Sequence, residues 1–133
     1  MGGWDEAAAA AEHGHGQEAL RLAMLLLEAG QGTTDDAEDE SFRTFNRSLT
    51  VWEQVALYAR AVDRWPHRWR LWKLLGYAYM RGGVYIPNLL RAAEQALLVS
   101  AAHAEDDRQV RNIEEKIELC RQAAAGADEA RVE

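Results

Sequence analysis

The stretch from Trp69 to Met80, WRLWKLLGYAYM, limits more than any other what this chain can fold into. Breakers bracket it. Pro66 disfavours helix in Trp65, and Gly82-Gly83 stop whatever precedes them. Between these points the spacing predicts a helix over 69–81. At about 100° per residue, Trp72, Leu75 and Tyr79 fall on one side of it. Arg70, Lys73, Tyr77 and Arg81 fall on the opposite side, within about a quarter-turn of one another. One side must be covered by neighbouring helices, and the other is cationic and wet.

The rest of the chain supplies candidate neighbours. Ala and Leu are abundant, the only prolines are Pro66 and Pro87, and runs of β-branched residues are few, so helix is favoured throughout. Residues 5–12 favour a short helix that His13-Gly14-His15-Gly16 interrupts. A helix at 17–29 has Leu20, Ala23, Met24 and Leu27 at i, i+3, i+4 and i+7. Leu22, Leu25 and Leu26 make its other side apolar too, so coverage over most of its surface is expected. Residues 31–41, QGTTDDAEDES, are acidic and aperiodic and read as a long loop. A helix at 48–64, with Ser48 as its N-cap, puts Leu49, Trp52, Val55, Ala56, Ala59 and Val62 on one face. After GGVYIP, Pro87 suits the first turn of a helix to about Ala104 that buries Leu90, Ala93, Leu97 and Ser100. A last helix at 107–124 has one narrow stripe of Val110, Ile113, Ile117, Cys120 and Ala124, and residues 125–133 read as a frayed acidic tail.

Trp72-x-x-Leu75-Gly76-x-x-Tyr79 resembles the first-helix signature of a tetratricopeptide (TPR) repeat, with Pro66 where such repeats end the preceding helix. Ala93-x-x-x-Leu97 resembles the family's Ala-x-x-x-Phe, displaced by the longer 82–87 connection. The resemblance covers one repeat and half of the one before it. It implies an all-α, right-handed α-solenoid fragment of antiparallel helix pairs. In that arrangement 1–133 is a single TPR-like domain. Residues 17–64 form a degenerate pair around the acidic loop, 69–104 the best repeat and 107–124 a capping helix with a wetted outer side. Leu71-Trp72-x-Leu74-Leu75 followed by Gly82 is also similar to the TPR-like activator domain of some bacterial transcription regulators, although no DNA-reading helix-turn-helix accompanies it. In the family, Gly76 would remove a side chain where paired helices approach most closely, and the side of the first helix away from that seam lines a concave groove.

Charge sharpens the expectation about partners. Residues 1–42 hold ten acids and one base, residues 43–91 nine bases and two acids, and residues 92–133 ten acids and five bases. The segments carry −9, +7 and −5, so a net charge of −7 conceals a basic middle. The resemblance then implies that Arg70, Lys73, Tyr77 and Arg81 contact an acidic peptide or partner subunit in a groove of the helices at 48–64, 69–81 and 87–104, with Asn88 adding an amide. Guanidinium and ammonium groups pair with carboxylates, and Tyr offers an apolar body with a polar tip. The plain alternative is a solvated basic face. The acidic run 35–40 is either a solubilising loop or a competitor lying over that face. Trp52, Trp65, Trp69 and Trp72 read first as buried at helix seams and otherwise as an exposed aromatic patch.

Catalytic chemistry has no foothold in the pattern. His13 and His15 lack a third ligand nearby, Cys120 sits on an apolar stripe without a positioned base, and no Gly-rich phosphate loop occurs, so neither an enzyme nor a cofactor is expected. A single cysteine and the absence of a secretory leader suggest a reducing, cytoplasmic location. The longest apolar run, Leu22 to Leu27, is far too short to span a bilayer, so no membrane partner is expected. The expected function is a non-catalytic adaptor. A scaffold that self-assembles through open solenoid edges is the alternative, and a nucleic-acid binder is disfavoured by the overall acidity and the lack of a recognition motif.

Overall fold

A computed structural model describes the protein over residues 3–30 and 35–132. Among the described residues the fold is all-α: α1 (Gly3–Glu12), α2 (Gly16–Glu28), α3 (Asp35–Ser48), α4 (Val51–Arg64), α5 (Trp69–Gly82), α6 (Leu89–His103) and α7 (Asp107–Val132), with no strand. Two compact units divide them, Met1–Arg64 and Trp65–Glu133.

In the first unit α1 packs on α2 and α3, and α2 packs on α4. Helix α1 carries Asp5 and Glu6 in its first turn, where carboxylates complement the helix dipole. It ends in a Schellman turn: Gly14 adopts φ +82°, His15 N–H donates to the Ala10 carbonyl and Gly14 N–H to that of Ala11. The HGHG segment is therefore the hinge that folds α2 back onto α1, and Ala7, Ala11, Ala19 and Ala23 are all buried on these two helices. Coverage of α2 is one-sided. Ala19, Ala23 and Leu27 are buried, but Leu25 is half exposed, against the expectation of near-complete coverage.

Helix α3 corrects the reading of a loop over 31–41. Residues 31–34 lie outside the described residues, but Asp35–Ser48 is helical. The order of charges explains why. Acids precede Ser41, whereas Arg47 lies in the last turn, an order that suits the helix dipole. Phe42, Phe45 and Leu49 then supply the buried stripe that anchors it. These rings meet Trp4 and Tyr58 in one cluster, with Phe42 and Phe45 edge to face at 5.3 Å and Trp4 5.6 Å from Phe42.

Thr50, not Ser48, starts α4. Its hydroxyl accepts from Glu53 N–H at 3.2 Å while its own N–H donates to Glu53 Oε1 at 2.9 Å, a reciprocal capping box. Glu53 Oε2 also accepts from Gln17 on α2. The buried face of α4 is rotated from the expected one. Gln54, Leu57, Tyr58, Ala61 and Val62 are buried, while Trp52 is 50% exposed. The rotation satisfies polar groups. Gln54 Nε2 donates to the Asn46 and Leu49 carbonyls at the end of α3, and Tyr58 hydroxyl donates to Asn46 Oδ1.

In the second unit α5 packs on α6 and α6 on α7. Gly76 is the close approach: a Cβ there would lie 2.6 Å from Leu97 Cδ2. Ser100 hydroxyl, buried, donates to the Trp69 carbonyl at 2.7 Å and ties α6 to the start of α5. Ala93, Leu97, Ile113, Ile117 and Cys120 form the aliphatic core, and Arg121 pairs with Glu94 across α6 and α7. The heptad-spaced stripe on α7 is thus the side that faces α6. The helix runs on to Val132 where a tail from 125 was expected, because AAAGADEARV is largely composed of good helix formers.

Candidate functional site

The candidate surface lies on α5. Its backbone is fixed by Gly76 against Leu97 and by the Ser100 hydrogen bond, so the outward side chains leave a rigid rod. Leu71, Leu75 and Ala78 are buried, Arg70 and Arg81 are exposed, and Lys73 and Tyr77 are intermediate. The side facing away from Leu71, Leu75 and Ala78 therefore carries the cations, while Tyr77, expected on a wet side, packs against the α6–α7 core.

Trp69 joins these cations into a ladder. Arg70 Cζ lies 5.5 Å from the Trp69 ring, and Lys73 Nζ lies 5.9 Å from Trp69 and 5.6 Å from Tyr77. One turn apart each, Trp69, Lys73 and Tyr77 form an i, i+4, i+8 stripe in which an ammonium sits between two rings. Both rings pack inward on the α6–α7 core, so they are anchored platforms with one side left to solvent. Burial pushes the Tyr77 phenol above its ordinary value. Arg68 repeats the motif just outside α5, 4.7 Å over the Trp65 ring.

Of the expected contact residues, Arg70, Lys73 and Tyr77 are brought together and Arg81 follows one turn beyond Tyr77 on the same side. Asn88 is exposed at the N-cap of α6 and its side chain caps nothing. The residue missed in the sequence is Trp69. Its i, i+4 relation to Lys73 was the available signal, but the tryptophans read first as seam residues and only otherwise as an exposed aromatic patch. None of Trp65, Trp69 and Trp72 is fully buried, and the Trp72 indole N–H donates to the Pro66 carbonyl at 2.8 Å.

Cys120 is 1% exposed, and burial, followed by the neighbouring Glu94 carboxylate, raises its thiol pKa, which disfavours the thiolate a nucleophile requires. His67 and His103 approach each other edge to face at 5.9 Å, both exposed. Among the described residues no three His, Cys, Asp or Glu side chains converge as metal ligands. No helix among them is long and apolar enough to cross a membrane. In comparison with known proteins, no family model, no curated protein and no solved structure matches the chain.

Proposed function

We propose that this protein is a non-catalytic, TPR-like cytoplasmic adaptor that holds an acidic peptide, or an acidic segment of a partner subunit, along the basic side of α5. The observation that carries the reading is the Arg70–Trp69–Lys73–Tyr77 ladder, cations held at rings that are themselves fixed to a core. Charged pairs at such a site lose less conformational freedom than pairs between two flexible surface side chains, because the rings already confine the lysine. Arg81 extends the same side towards the C-terminal end of α5, and Asn88 offers an amide beyond it. The experiment is affinity capture from native lysate with the wild type beside Lys73→Glu/Arg81→Glu. The double variant is expected to fold and to lose the captured partner. Undiminished capture by it contradicts the proposal.

A second reading, self-assembly, has its own observation. Gly3, Glu6, Leu22, Leu25, Leu26 and Ala29 line a cavity of about 260 Å³ on α1 and α2, and Leu25 stands half exposed at it. Light scattering over a concentration series tests it. A mass that stays at 14.9 kDa removes it.

A further inference from the structure

Beyond the α5 ladder, the turn between α5 and α6 presents three consecutive apolar side chains to solvent. Val84 is 80%, Tyr85 75% and Ile86 47% exposed. The backbone beneath them is ordered by hydrogen bonds. Tyr85 and Ile86 N–H both donate to the Gly82 carbonyl, Leu89 N–H to that of Ile86, and Leu90 N–H to that of Pro87. A tip so exposed and so firmly held does not contribute to its own unit's core, and a row of three exposed apolar residues is costly in water.

We infer that the ligand is a bipartite peptide, an acidic segment followed in space by an apolar one, with its carboxylates on Arg70, Lys73 and Arg81 and its apolar end on Val84, Tyr85 and Ile86. This inference rests on the adaptor reading and specifies the partner's chemistry. The charge pattern supports it. Arg70, Lys73 and Arg81 are spread along α5 over roughly 16 Å, the rise of eleven helical residues. An extended peptide covers that span with about five residues and reaches the tip with two or three more. Tyr85 adds an exposed ring to the apolar end. Arg70 and Lys73 lie about three or more turns from the tip, further than the cations that ring an interfacial anchor, whereas Arg81 stands three residues from Val84 at the junction of the two segments.

The test uses the full chain and two labelled synthetic peptides, one of five acidic residues and one carrying the same acids followed by Leu-Leu-Phe. Wild type is expected to bind the second about tenfold more tightly. Val84→Ser/Tyr85→Ser/Ile86→Ser should abolish that gain and keep the affinity for the acidic peptide. Lys73→Glu/Arg81→Glu should lose both peptides. Equal affinity of wild type for the two peptides, or a gain that survives in the triple variant, overturns the inference and leaves the adaptor reading standing. Failure of both peptides to bind wild type overturns both. Retention on acidic phospholipid vesicles, or a dimer, that the triple variant abolishes would assign the tip to a lipid surface or a second copy and overturns it as well.

Discussion

The two units use aromatic residues in opposite ways. In the first, Trp4, Phe42, Phe45 and Tyr58 are buried and touch one another, leaving Trp52 as the exposed member. In the second, none of Trp65, Trp69, Trp72, Tyr77, Tyr79 and Tyr85 is fully buried, and the core is aliphatic. Cations attend the second set: Arg68 at Trp65, Arg70 and Lys73 at Trp69, and Lys73 again at Tyr77. Aromatic rings stabilise a fold most when desolvated, and serve recognition best when one side stays wet. The rings of the first unit lie in a desolvated cluster apart from Trp52, and those of the second stay partly wet.

Substitution in each unit can break that contrast. The largest effect is expected at Phe45, fully buried among rings, where Phe45→Ala should cost about 3–5 kcal/mol in chemical denaturation. Tyr85→Ala, by contrast, should stay within about 0.5 kcal/mol of wild type. Comparable losses at the two positions would erase the distinction. Next comes Gly76→Ala, which thrusts a methyl at Leu97 and should cost about 1–3 kcal/mol, unless Leu97 finds another rotamer. Leu97→Ala in the same background then tests the clash directly, since relieving it makes the pair less destabilising than the sum of the single changes. In the first unit, Glu53→Ala removes a capping box and the Gln17 contact, and a loss of about 0.5–2 kcal/mol is expected.

The smallest effect concerns pH. The Cys120 thiol pKa is raised in the folded state by burial and by Glu94. The unfolded chain therefore releases this proton first as pH rises. The contribution of Cys120 is fully present below the unfolded thiol's pKa and is lost between that value and the higher folded one. Cys120→Ala should flatten this alkaline decline in a denaturation series from pH 7 to 10. An unchanged slope would show that the thiol is not its source.

Much of the second unit was legible in the sequence because breakers and periodicity agree there. Pro66 and Gly82-Gly83 delimit α5 within a residue, and the Ile113, Ile117, Cys120 spacing identifies the buried side of α7. The first unit was less legible for physical reasons. The acidic half of α3 is polar on all sides, and its apolar stripe begins only at Phe42, beyond the segment that read as a loop. The expected N-cap, Ser48, lies two residues before the Thr50-x-x-Glu53 box that starts α4. The α4 face was misplaced because buried Gln54 and Tyr58 satisfy partners on α3 that only the fold brings near. On α5 the cations were legible by angle. So was Tyr77, but the part played by Trp69 was not, since periodicity does not tell a half-buried tryptophan from a buried one.

The central claim is that the ring-held cations of α5 are where the partner sits. It is tested most directly by mapping backbone amide shifts of the ¹⁵N-labelled chain while an acidic peptide is titrated in. The account predicts saturable shifts concentrated at Arg70, Lys73, Tyr77 and Arg81, weakening with added salt as screened charge pairs must. Shifts centred instead on the α1–α2 cavity or along α7, with α5 silent, would contradict it.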